Sequence, residues 1–268
     1  MSESGASAHI SVSNVSVDFG GKQSRVRVLS GVNLKVRRGG FASLIGPSGC
    51  GKSTLLKILS GLLTPSEGTV SVAGLRPQQA VLERRVGLVF QEATLMPWKT
   101  ARQNVCLLME LSDKARTRAE INDRAEEMLR LVGLGHAMDR YPTQLSGGMR
   151  QRVSIARALA LDPEVLLMDE PFGALDAITR EEMCAFILEI WQRTGKTIVL
   201  VTHSIDEAVF LSEEVHVMAT GPARILESLD VRVPYPRTDD SFTDPAFIEA
   251  SNHLRRLLKA SHARTVAP

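Results

Sequence analysis

Polar and apolar residues alternate through residues 10–36, with Val12, Val15, Val17 and Phe19, then Val26 and Val28, then Val32, Leu34 and Val36 at the apolar positions. A period of two predicts antiparallel strands, folded back at a turn at Gly20-Gly21. The rhythm then changes. Phe41-Ala42-Ser43-Leu44-Ile45 is apolar almost throughout, as a buried parallel strand requires, and residues 53–60 have helical character. Thr64-Pro65-Ser66-Glu67-Gly68 reads as a turn, with β-rich pieces at 69–73 and 86–90 behind it.

Between about 100 and 141 the period becomes helical: Ile121, Ala125, Met128, Leu129 and Val132 share one face, and Arg118, Glu120, Arg124, Glu126 and Glu127 lie elsewhere. A helix over 146–161, a buried strand over 165–169, a helix over 177–193 ending at Gly195 and a strand over 197–202 follow. Farther on stand a strand at 224–229 and a helix carrying Ile248, Leu254, Leu257 and Leu258 on one side. Strand alternating with helix predicts an α/β fold: a parallel-sheet core, an antiparallel β-layer in front of it, and a helical subdomain inserted at about 100–160. Residues 1–9 are small and polar, with neither a charged start nor an apolar run, which predicts a loose tail and no secretion signal.

Composition narrows the classes. A chain of 268 residues holds one α/β core with a subdomain but no second catalytic domain. Thirty-two basic residues against thirty acidic ones leave a formal charge of +2, so no broad basic field attracts nucleic acid. Apolar runs such as Thr197–Val201 fall far short of the ~20 residues that span a bilayer. Cys50, Cys106 and Cys184 are widely spaced, which argues against a disulfide framework or a zinc site and for a reducing cytoplasm.

The chemistry begins at Gly46-Pro47-Ser48-Gly49-Cys50-Gly51-Lys52-Ser53-Thr54, which fits the phosphate-loop pattern at each position and sits between a strand and a helix as that motif demands. The glycines permit positive φ and let backbone N–H groups approach phosphate oxygens at a helix N-terminus. Lys52 supplies a point charge for the β- and γ-phosphates of ATP, and Ser53 a hydroxyl for Mg2+. A glycine-rich turn alone would only cap a helix; the strand, lysine and hydroxyl in register favour the phosphate loop. Val165-Leu166-Leu167-Met168-Asp169-Glu170 ends an apolar strand in two carboxylates, where parallel sheets meet their ligands. Asp169 suits Mg2+, and Glu170 suits a base for the attacking water. Leu145-Ser146-Gly147-Gly148-Met149-Arg150-Gln151 opens a helix with Ser146 as N-cap; taken alone it is either a cap or a second anion site.

These motifs, with Gln91, Gly173-Ala174-Leu175-Asp176 and His203 in the same order, resemble an ATP-binding cassette (ABC) ATPase over most of the chain. The resemblance implies a P-loop NTPase fold and a head-to-tail pair of subunits, in which Ser146, Gly147 and Gly148 of one copy complete the ATP site of the other. It further implies that Gln91 touches Mg2+ and water, that Asp176 lies at the dimer seam, and that His203 contacts the γ-phosphate. Phe19 stands where the family places an aromatic against adenine, though its strand setting also fits core packing. The implied domain covers residues 10–230, with 231–268 as a short C-terminal extension.

The segments Phe90 through Trp98, Asn104-Val105 and Met168 through Asp176 with Thr179-Arg180 further resemble ATPase subunits of nitrate, sulfonate and taurine importers. That implies a peripheral protein on the cytoplasmic face of the inner membrane, served by permease subunits and indirectly by a solute-binding protein. Met96-Pro97-Trp98 is then either a docking loop for the permease or a packed interior segment. Two rival classes are a soluble ABC protein working as a mechanical switch and a phosphate-loop kinase. One motif set without sustained heptads weighs against the first, and the 145–151 signature against the second.

Overall fold

The computed structural model describes residues 8–20, 24–112 and 116–266. Strand β1 (Ala8–Phe19) pairs antiparallel with β2 (Val26–Arg37) and on its other edge with β4 (Glu67–Val72), giving the antiparallel layer. β1 starts at Ala8, so Ala8 and His9 belong to the sheet and not to a tail. The His9 imidazole is buried, with Nδ1 2.6 Å from Thr197 Oγ1, which fastens the chain to the core. Residues 1–7 and Gly21 of the anticipated turn lie outside the described residues.

The second sheet has the order β5-β6-β7-β3-β8-β9, from β3 (Phe41–Ile45), β5 (Val86–Val89), β6 (Val165–Asp169), β7 (Thr197–Val201), β8 (Glu214–Ala219) and β9 (Arg224–Asp230). The first five are parallel, and β9 is antiparallel to β8. Burial on both faces explains the unbroken apolar runs of β3, β6 and β7. Phe41, Leu166, Met168, Ile198 and Leu200 face one core, while Ala42, Leu44, Val165, Leu167, Val199 and Val201 face the other, against β1, β2 and helix α1 (Lys52–Leu59).

Helix α2 (Pro77–Leu82) precedes β5. Helices α3 (Ala101–Ser112), α4 (Arg118–Leu131) and α5 (Gly147–Leu159) then pack on one another. Ile121, Ala125, Met128, Leu129 and Val132 are buried, as their spacing predicts. Thr117 and Glu120 close a reciprocal capping box at the start of α4, satisfying two otherwise orphaned backbone donors.

Helices α6 (Ala177–Thr194) and α7 (Ile205–Leu211) flank β7, and α8 (Pro245–Val266) packs on α7 and β8. The segment after residue 230 is part of the main core, since Val231, Val233, Phe247, Ala250 and Leu254 join it. Arg237 anchors the segment: its buried guanidinium donates to the carbonyls of Val209, Phe210 and Ser212 at 2.9, 2.9 and 2.8 Å, filling the acceptors at the end of α7. One expected inward residue faces out. Ile248 is 47% exposed, and its neighbour Phe247 takes the buried face beside Phe242.

Candidate nucleotide site

The residues singled out for chemistry come from loops at the same end of adjacent parallel strands. Gln91 follows β5, Asp169 and Glu170 finish β6, His203 follows β7, and the phosphate loop follows β3. The C-terminal edge of a parallel sheet is the general place for a ligand, and here four neighbouring strands converge on it.

The phosphate loop is held from within. Lys52 is only 5% exposed, and its Nζ donates to the carbonyls of Gly46 at 2.8 Å and Pro47 at 3.1 Å. Gly49 and Gly51 have φ of 76° and 88°, the left-handed region that favours glycine, and Gly51 forms the N-cap position of α1. Gly46 is different. Its φ is not positive, and what requires glycine is space, because a Cβ there would stand 2.6 Å from both the Met218 carbonyl and Cys50 Sγ. Cys50 is buried against that loop, and burial raises its thiol pKa. Pro47 and Thr54 are half-buried and Ser48 is exposed at the loop tip.

Ser53 Oγ donates to Asp169 Oδ1 at 3.1 Å, bringing two side-chain oxygens together at the end of β6. Partial burial raises the Asp169 pKa, opposed by that hydrogen bond and by Lys52. Among the described residues no group of three or more His, Cys, Asp or Glu side chains could hold a metal ion. A cation at Ser53 and Asp169 therefore needs hydroxyl, amide and phosphate oxygens, a hard donor set of the kind Mg2+ takes.

That burial has a cost testable without nucleotide. Asp169→Asn is expected to raise the thermal midpoint of the protein in EDTA at neutral pH, because the amide is neutral where the half-buried carboxylate is charged. The sign follows from linkage: with its folded pKa above the unfolded value, Asp169 loses stability for the fold as pH rises through the carboxylate range. The advantage of Asn should shrink toward pH 4. Calorimetry at the two pH values checks this, and a lower midpoint at neutral pH would contradict it.

Glu170 has φ of 46°, an unusual value for a residue with a side chain, and its Oε2 lies 3.2 Å from His203 Nδ1. The Glu170 carbonyl accepts from Gly173 N at 3.1 Å, closing a turn beside Gln91, whose Nε2 would be 3.0 Å from a Cβ on Gly173. Glu170, Gln91 and His203 thus sit around one small region. Gln151 Nε2 donates to Phe90 O at 3.0 Å, and Arg157 to the carbonyls of Ala93 and Thr94 at 2.9 and 3.0 Å, fastening the Gln91 loop to α5.

Ser146 caps α5, its Oγ accepting from Met149 N at 3.2 Å, and Ser146 and Gly147 are exposed while Gly148 is buried. Among the described residues no hydrogen bond joins them to the phosphate loop. Asp176 caps α6 by accepting from Thr179 N at 3.0 Å and from its hydroxyl at 2.8 Å. Phe19 ends β1 opposite Val26 and is 45% exposed, which removes core packing as its role. Trp98 is 70% exposed and so is not an interior residue. Its loop is braced from below by fully buried Asn104, which accepts from Met96 N at 2.7 Å and donates to the carbonyls of Lys99 and Thr100 at 2.9 and 3.0 Å. Gln151, Arg157 and Asn104 are polar residues inside apolar helices. A buried polar position in an amphipathic pattern is the signal that marks them.

A profile of the ABC transporter family matches residues 29–173. The bicarbonate transport ATP-binding protein CmpD of Synechocystis sp. is 43% identical over 94% of this chain and 89% of its own length. The aliphatic sulfonates import ATP-binding protein SsuB of Bacillus cereus is 42% identical over 87% and 90%, and the nitrate import ATP-binding protein NrtD of Synechocystis sp. is 41% identical over 94% and 95%. The solved dimer of the ATP-binding cassette MJ0796, bound to ADP and Pi, superposes with a TM-score of 0.73 at 34% identity, covering 83% of this chain and 99% of that one. The family match covers the phosphate loop and the carboxylate strand end, and the likeness in sequence extends over most of the chain. The chain belongs to the ABC transporter family, as an ATP-hydrolysing subunit of the importer type.

Proposed function

We infer that two copies of this chain hydrolyse MgATP at two shared sites and drive uptake of a small anionic or organic solute through separate permease subunits. The observation that carries this reading is the convergence of Lys52, Asp169, Glu170, Gln91 and His203 at the ends of four adjacent strands. Lys52 and the loop amides take the β- and γ-phosphates, replacing carbonyl dipoles around the ammonium with anionic oxygens. Glu170 accepts a proton from water as its oxygen attacks the γ-phosphorus and the bond to the bridging oxygen breaks, leaving ADP and phosphate. His203 faces Glu170 and contacts the γ-phosphate, and Gln91 orients the water. Ser53, Asp169 and Gln91 would hold Mg2+, which when bound would neutralise charge on the phosphates.

The Ser146-Gly147 end of α5 is exposed, which supports its use on the nucleotide of a second copy, with Asp176 at the seam. The exposure of Phe19 supports a stacking role on adenine. Among the described residues no helix is long and apolar enough to cross a membrane, so transport requires an integral permease, and the exposed Trp98 on its braced loop is the surface offered to it. The subunit then works as a peripheral protein on the cytoplasmic face of the inner membrane, with a solute-binding protein delivering cargo to the permease.

Relatives named for bicarbonate, sulfonates and nitrate lie between 41% and 43% identity. The cargo is therefore written in the permease and binding protein, not in the residues of this site. The test is to capture the tagged chain from gently solubilised native membranes and identify its companions by mass spectrometry. A polytopic permease is expected. Recovery with soluble assemblies alone would favour the mechanical-switch class instead.

A further inference from the structure

Glu207, on the first turn of α7, is 8% exposed and takes no part in the chemistry above. Its Oε2 accepts the hydroxyl hydrogen of Thr202, and that same hydroxyl oxygen accepts from Ser204 N at 3.0 Å. Ser204 Oγ in turn accepts from Glu207 N at 3.2 Å. The residues on both sides of His203 are thus fixed to Glu207, Thr202 to its carboxylate and Ser204 to its backbone N–H and to the Thr202 hydroxyl, while the imidazole itself remains exposed beside Glu170.

The other Glu207 oxygen faces a different element. Arg180 Nε lies 3.6 Å from Oε1, and Arg180 Nη2 donates to Leu175 O at 2.8 Å, at the residue before Asp176. Arg180 N donates to Asp176 O at 2.9 Å, the first intrahelical bond of α6. On the far side of the same turn, a Cβ on Gly148 would be 2.7 Å from Thr179 Cγ2, and one on Gly147 3.4 Å from Leu175 Cδ2. Packed or bonded atoms therefore run from the Ser146 end of α5, through the Asp176 cap, to Arg180, Glu207 and the His203 loop.

We propose that Glu207 is a positioning residue for hydrolysis: through Thr202 and Ser204 it sets the His203 loop, and through Arg180 it ties that loop to the Leu175-Asp176 turn and the 146–148 end of α5. The proposal rests on the site reading above. In a dimer completed by that end of α5, each subunit then carries a link between the nucleotide its His203 faces and the nucleotide of its partner. Burial raises the Glu207 pKa, while the Thr202 hydrogen bond and Arg180 favour its charged form.

The experiment measures steady-state ATPase kinetics of the full-length protein for wild type, Glu207→Gln, Thr202→Val and the double variant, with active-site concentration fixed by nucleotide titration. Each single substitution is expected to lower kcat about 10-fold, as a misplaced reacting group does, with KM for ATP changed less than about 2-fold because neither residue touches nucleotide. The double variant should fall no further than either single one, the mark of residues acting as a unit. Additive losses, a rise in KM at constant kcat, or wild-type kcat in both single variants would overturn the proposal. Thr202→Val keeps the side-chain volume and carries the test if Glu207→Gln does not fold. A wild-type protein without ATPase activity would instead sink the site reading itself.

Discussion

A Glu170→Gln protein is expected to bind MgATP within about 2-fold of the parent and to hydrolyse it about 10²–10⁴-fold more slowly, the usual worth of a general base. The substitution keeps volume and shape and removes only the capacity to take a proton. Glu170 sits at φ 46°, and glutamine meets the same backbone cost, so the turn through Gly173 is retained. The amide can still lie against His203 Nδ1, 3.2 Å from the present carboxylate oxygen. Equilibrium binding of a fluorescent nucleotide, paired with single-turnover phosphate release, separates the two effects. Hydrolysis at the parental rate would remove Glu170 from the mechanism, and lost binding would make it a ligand and not a base.

The parts of the site legible in the sequence are those whose chemistry is local. The phosphate loop requires its glycines, lysine and hydroxyl within nine consecutive residues, and Asp169-Glu170 announces itself because two carboxylates close an apolar strand. Gln91 and His203 are bland as letters, and only their shared resemblance to a family, then their common sheet edge, gives them meaning. The Glu207–Arg180 link is illegible for a different reason. Its members are ordinary charged residues at helix starts, and they are brought together, with Glu207 buried, by long-range packing of α6 on α7.

The fold divides along the same line. Alternation marks β1 and β2, and unbroken apolar runs mark β3, β6 and β7. Strand β8 is hidden because His216 interrupts its apolar run. The structure buries that imidazole beside Ser228 Oγ at 2.7 Å, and desolvation pushes its pKa down to about 4, so it occupies the core as a neutral group. At Gly46 the motif names the right residue, but the reason lies in Met218, which arrives from β8 far along the chain. In α8 a one-residue choice between Phe247 and Ile248 depends on the aromatic pair already set by Phe210 and Phe242.

Lys52→Ala carries the second large effect, expected in binding. Among the described residues Lys52 forms no salt bridge; its buried ammonium is held by two carbonyl oxygens, at 2.8 and 3.1 Å. A buried charge hydrogen-bonded to carbonyl dipoles and without a paired carboxylate in contact is costly, and anionic phosphates bound at the loop would supply what it lacks. Losing charged hydrogen bonds worth about 1.5–3 kcal/mol each should weaken MgATP by about 100-fold or more. The alanine also leaves the Gly46 and Pro47 carbonyls without this donor, so the loop loses part of its internal brace. Calorimetric titration in a Glu170→Gln background keeps the nucleotide intact while affinity is read. An affinity within 3-fold of that background would mean that loop amides and Mg2+ suffice for the phosphates, and that Lys52 serves mainly to hold the empty loop in shape.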